Sequence, residues 1–111
     1  MLNNFINWAS IIMIDNTENF LEMSITVNKP SDNRSVRLDI DTLSCIARIT
    51  FWEAGDYDAE IIKIKDEKTI YSCQGNVSLE NSLSEQFYLF FELLNLSVSS
   101  VHDKLSVISQ T

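Results

Sequence analysis

Glycine, proline, histidine and cysteine are all scarce in this chain: two Gly, one Pro, one His and two Cys in 111 residues. Each shortage removes a kind of chemistry. Two glycines, Gly55 and Gly75, cannot build a glycine-rich phosphate-binding loop. One histidine, His102, and two cysteines far apart in sequence, Cys45 and Cys73, leave no closely spaced ligand set for zinc. A nucleophilic triad needs a His or Lys base beside Ser or Cys, and His102 stands in a Ser/Val-rich tail where it reads as a surface residue. Positive charge is short as well: 8 Lys+Arg face 16 Asp+Glu, for a formal net charge of −8. Such a chain is repelled by phosphate backbones and anionic lipid, so neither nucleic acid nor membrane is expected as a partner. A basic protein surface is the favoured partner.

The segment Phe5–Ile14 is apolar but too short to span a bilayer. No Lys or Arg precedes it and no small-residue cleavage site follows, so it makes a poor signal peptide. The expected location is the cytoplasm, with Cys45 and Cys73 as free thiols serving as small buried apolar groups.

What is present is a core. Apolar residues make up 45% of the chain, enough for a single domain over 1–111. Phe5, Trp8, Ala9, Ile12 and Met13 recur at three and four residues and predict a helix over Leu2–Ile14, with room to run on through Asp15-Asn16-Thr17-Glu18. Glu22–Val27 alternates and reads as a strand, and Asn28–Arg34 is a loop containing Pro30. Ser35–Thr42, Cys45–Glu53 and Tyr57–Lys65 are three more strands, with Gly55 turning the chain between the last two. The alternation slips at Ile61-Ile62, which either a β-bulge near Ile61 or a strand end covered on both faces explains.

After a polar turn at Asp66-Glu67-Lys68, Thr69–Cys73 reads as a fifth strand and Gln74-Gly75-Asn76 as its end. A helix follows to Leu94 or Leu96 on the stripe Leu83, Phe87, Phe90, Phe91 and Leu94, with Ser78 or the Ser82/Glu85 pair as its N-cap. Residues 95–111 read as a weakly ordered tail or an extra helix on Leu94, Val98, Val101, Leu105 and Ile108. Short connections favour a meander. The expected fold is α+β: an N-terminal helix, an antiparallel sheet of four or five strands, and a C-terminal helix.

Candidate chemistry lies on the polar side of the central strands. Asp39 and Asp41 share one strand face, as do Asp58 and Glu60, and paired carboxylates serve acid–base catalysis or hard cations. The same residues make an ordinary solvated sheet face. With Arg37, Arg48 and Trp52 beside them they also make an interaction surface, since Trp and Arg are enriched at interface hot spots; a helix laid over Trp52 accounts for that residue equally well. Small carboxylate- or metal-dependent enzyme and generic interaction module therefore both stand as alternatives.

The run SVRLDID…CIARITFWEAGDYDAEIIKI…KTIY, followed by a Leu/Phe-rich helix, resembles the TriTu family of bacterial immunity proteins. The matching residues are Val36-Arg37-Leu38-Asp39, Ala47-Arg48-Ile49-Thr50, Trp52-Glu53 with Gly55, and Asp58 to Ile62. The likeness is good from about Ser35 to Tyr71; the flanking helices match in kind, and the tail beyond Asn95 has no counterpart. The resemblance implies an antitoxin of an Rhs-type polymorphic toxin system. Such a protein binds one-to-one to a cognate ADP-ribosyltransferase toxin that modifies elongation factor Tu. It implies no enzyme activity, cofactor or metal. The expected contact set is Asp39, Asp41, Arg48, Trp52, Glu53, Asp56, Asp58 and Glu60.

Overall fold

In the computed structural model, which describes residues 1–28, 33–78 and 82–98, the alternating segments become five strands. They are β1 (Glu22–Asn28), β2 (Ser35–Asp41), β3 (Cys45–Trp52), β4 (Asp56–Lys63) and β5 (Thr69–Asn76). All pair antiparallel in chain order, β1-β2-β3-β4-β5. Helices α1 (Leu2–Asp15), α2 (Leu83–Gln86) and α3 (Tyr88–Leu93) form the second layer. This is the expected α+β arrangement, with one face of the sheet buried under helices. Among the described residues no helix is long and apolar enough to cross a membrane.

Register explains the core. Val36, Leu38, Ile40, Ala47, Ile49, Phe51, Ala59 and Ile61 all point inward and are buried. Directly opposed residues form rows: Met23, Ile40, Ala47, Ile61 and Tyr71 in one, Ile25, Leu38, Ile49, Ala59 and Cys73 in the next. The α1 stripe meets them. Phe5 stacks on Phe51 at 4.7 Å, and Trp8 lies against Phe87 and Phe91. Phe87 in turn meets Tyr57 edge-on at 4.8 Å. The Trp8 indole N–H donates to Ser84 Oγ at 2.9 Å, so a buried polar tip is satisfied where the two helical segments touch. α1 has no side-chain cap at its N-terminus and no acidic residue in its first turn, so packing rather than capping holds it helical.

Several boundaries differ from expectation. α1 ends at Asp15, one residue past the expected Ile14 and without the run-on through Glu18, because Asn16 turns its side chain onto the backbone instead of continuing the helix. Gln74-Gly75-Asn76 does not end β5 but extends it, pairing with Asp58, Tyr57 and Asp56. A Cβ on Gly75 would sit 2.8 Å from the Tyr57 hydroxyl, so the glycine lets the phenol lie across the strand. Gly55 does turn the chain, at φ +96, and a Cβ there would collide with the Val77 carbonyl.

The single C-terminal helix is in fact two pieces, broken at Phe87, whose φ −106 and ψ 14 leave the helical region. The break lets Phe87 reach the centre of the core while Phe90 and Phe91 stay buried. Ser82, not Ser78, caps it, accepting the Glu85 N–H. The predicted loop at 29–32 with Pro30, and the tail at 99–111 with Val101, His102, Leu105 and Ile108, lie outside the described residues.

The slip at Ile61-Ile62 is a bulge, with its extra residue on the neighbouring strand. Ile61 pairs with Tyr71 and Ile62 with Thr69, which leaves Ile70 unpaired. β4 keeps its alternation, and Ile62 therefore faces the same side as Glu60.

α3 closes with a Schellman motif. Asn95 adopts φ +58, its N–H donates to Glu92 O, and the Leu96 N–H donates to Phe91 O, both at 3.0 Å. A left-handed residue favours Gly, so Asn95→Gly should be neutral or stabilise by up to about 1 kcal/mol, whereas Asn95→Ala should cost about 1 kcal/mol. Urea midpoints at constant m-value give the check.

Candidate functional site

The side of the sheet away from the helices carries the polar residues, in rows set by register. Ser24, Asp39, Arg48, Glu60 and Ser72 oppose one another in one row; Thr26, Arg37, Thr50, Asp58 and Gln74 form the next. Below them Glu22, Asp41, Ile46, Ile62 and Thr69 make a third row, and Trp52 sits opposite Ser35 at the far end. Among the described residues no helix lies over this face, so Trp52 is half-buried without a helical cover. The predicted contact residues Asp39, Asp41, Arg48, Trp52, Asp56, Asp58 and Glu60 share it. Glu53 does not. It sits in the turn after β3 and lines a cleft of about 300 Å³ with Arg34, Val36 and the start of α1.

The carboxylates are not equivalent. Asp39 is clamped between two guanidiniums: Arg37 Nε donates to Oδ2 at 2.8 Å and Arg48 Nε to Oδ1 at 2.9 Å. Asp56 accepts from Asn76 Nδ2 at 2.9 Å. Asp41, Asp58 and Glu60 have no ion-pair partner among the described residues. Asp39 has both oxygens committed, so the Asp39/Asp41 pair offers one open carboxylate and not two. Among the described residues no group of three His, Cys, Asp or Glu is placed to hold a metal ion.

On the helical side, Tyr57, Cys73 and Gln86 form a small polar island. Gln86 Nε2 donates to the Tyr57 hydroxyl at 2.6 Å, and the Cys73 sulfur lies 3.6 Å from the same oxygen. Burial first, and then the Cys73 thiol, push the Tyr71 phenol up to about 12 and raise Tyr57 in the same direction. Both phenols stay neutral at physiological pH. As groups whose pKa is raised by folding, they cost stability only above their unfolded value near about 10, where the unfolded chain ionises first. Neither phenol therefore supplies a phenolate at physiological pH.

Sequence reading found the face but not its register. That Ile46 and Ile62 are direct cross-strand neighbours depends on pairing, which a single sequence does not display. No curated protein matches the chain. A family model does: the one described as immunity protein TriTu matches residues 3–93, well over half the chain, and extends the likeness across both helical segments.

Proposed function

The chain belongs to the TriTu family of immunity proteins, and from that premise we propose that it binds and neutralises a cognate ADP-ribosyltransferase toxin directed at elongation factor Tu. It acts in the cytoplasm of the producing cell, within an Rhs-type system, as a one-to-one, non-catalytic inhibitor that occludes the toxin's active site. The observation that carries the reading is the open sheet face with three carboxylates, Asp41, Asp58 and Glu60, that have no ion-pair partner among the described residues. An enzyme that grips NAD and a protein target needs cations in its groove, and carboxylates displayed on a rigid sheet compete for them with fast, steered association. Rigidity matters because a preformed surface loses little entropy on docking.

The test is co-expression with the adjacent toxin domain. Rescue of growth, a one-to-one complex on a sizing column and loss of ADP-ribose transfer to elongation factor Tu at equimolar ratio are expected. Growth arrest that persists, with the two proteins eluting apart, would sink the reading.

A further inference from the structure

We propose that the apolar end of the open face, centred on Ile46 and Ile62, is the anchor of the toxin interface, and that it receives an apolar side chain set among Arg or Lys residues of the toxin. The inference rests on the immunity reading and deepens it. Ile46 is half exposed and stands directly opposite Ile62. Ile64 and Ile70 are 47% and 40% exposed at the same end of the sheet, and Leu43, in the β2–β3 turn, is 86% exposed. Trp52 at the far end apart, this face elsewhere uses Ser24, Thr26, Ser35, Thr50, Ser72 and Gln74 at its uncharged inter-strand positions. Threonine satisfies β-propensity on a solvated face without exposing a sec-butyl group, so isoleucine at two paired positions has another use.

The surroundings identify the occupant. Asp41 opposes Ile46, Glu22 opposes Asp41, and Glu60 lies in the next row opposite Arg48, whose Nε is engaged by Asp39, so three carboxylates without ion-pair partners among the described residues outnumber the one cation bordering the patch. An apolar centre within a charged rim is the anatomy of a protein interface. A second copy of this chain fits badly: a twofold contact brings each patch against the same patch, and so carboxylate rim against carboxylate rim, in a protein of net charge −8. A basic partner with an apolar protrusion fits both features. The anchor thus lies roughly 20 Å from Trp52, six residues along β3, and the carboxylate rows run between them.

The experiment measures the affinity of the full chain for the purified cognate toxin domain by calorimetry. Ile46→Asp and Ile62→Asp are compared with Leu89→Asp, which adds the same charge on the helical side. Expected are losses of at least about 30-fold for the first two, the level of a hot spot, native circular dichroism, and an unchanged constant for Leu89→Asp. Ile46→Ala and Ile62→Ala should weaken binding in the same direction by about 3- to 10-fold, and they decide the matter if an Asp variant fails to fold. Folded Asp variants that bind like wild type, or Ala variants without loss, overturn the anchor while leaving the immunity reading intact. A wild-type dimer that Ile62→Asp dissociates without affecting toxin affinity also overturns it, in favour of a second copy. Wild-type protein that fails to bind the toxin at all removes the immunity reading, and the anchor with it.

Discussion

The double variant Asp58→Lys/Glu60→Lys is expected to lose toxin neutralisation by on the order of 10²- to 10³-fold in affinity while remaining folded. The wild-type face holds six carboxylates, Glu22, Asp39, Asp41, Asp56, Asp58 and Glu60, and two guanidiniums, Arg37 and Arg48, a balance of −4. The variant leaves four carboxylates against four cations, a balance of zero. The structural cost is small, because neither residue is ion-paired within the described chain and Arg48 keeps Asp39 at 2.9 Å. Placing Lys opposite Arg48 costs less than about 1 kcal/mol, the scale of a cross-strand charge pair.

Binding suffers far more, since a cationic groove on the partner then meets like charge in a partly dehydrated interface. Association kinetics should show it most clearly. The wild-type on-rate should fall steeply between about 0.05 and 0.5 M salt, as the Debye length shrinks below the spacing of the rows, and the variant's should hardly change or rise. A variant that neutralises the toxin at wild-type potency would show that the open face is not the contact surface. Asp39→Ala is the informative contrast: it removes an anion that two arginines already engage and leaves the face net negative, so a smaller loss and a shallower fall of on-rate with salt than in the wild type are expected.

The inward face of the sheet was legible because period two is written directly in Val36-Leu38-Ile40 and Ala47-Ile49-Phe51, and a one-residue slip would bury charge. The turn at Gly55 was legible because few other residues accept φ +96. What was hidden depends on distant partners. Gln74-Gly75-Asn76 reads locally as a breaker, and only the Tyr57 ring lying over Gly75 makes it strand. The break at Phe87 is invisible in a helical stripe that stays in phase through Phe90, Phe91 and Leu94; it exists because Phe5, Trp8 and Tyr57 converge on that one ring. The alternation placed the side chains of the polar face together, with Glu53 of the expected contact set falling off it into the turn after β3, but it did not display their hierarchy. That Asp39 is consumed by two arginines whereas Asp58 and Glu60 are not follows from side-chain geometry across three strands.

Asn16 is the clearest case of a residue that sequence passes over and the fold depends on. The sequence left open whether the first helix runs on through it, yet it is 1% exposed and its side chain makes four hydrogen bonds. Its Nδ2 donates to Ile12 O at 2.9 Å and Ser97 O at 2.8 Å; its Oδ1 accepts from the Ser97 N–H at 2.8 Å and from Asn19 Nδ2 at 3.1 Å. One amide thus ends α1 and ties it to the chain leaving α3, where Leu96 is buried. Asn16→Ala removes both halves and leaves backbone groups of Ser97 poorly satisfied, so a loss of about 2–4 kcal/mol is expected. For a domain this size that lowers Tm by roughly 10–20 °C.

Asn16→Asp separates hydrogen bonding from packing, because it keeps the shape and the Oδ1 acceptor. Its second oxygen faces the Ile12 and Ser97 carbonyls, which raises the folded pKa of the new carboxyl. The sign follows: between the unfolded value near about 3.9 and the raised folded value the native state binds more protons. The deficit of Asn16→Asp against wild type should therefore shrink as pH falls through the folded pKa, when a protonated oxygen regains one donor, and be largest at neutral pH. Paired urea titrations across that range measure it. A deficit independent of pH, or an Asn16→Ala variant as stable as wild type, would show that hydrophobic contacts alone hold the two helical segments together.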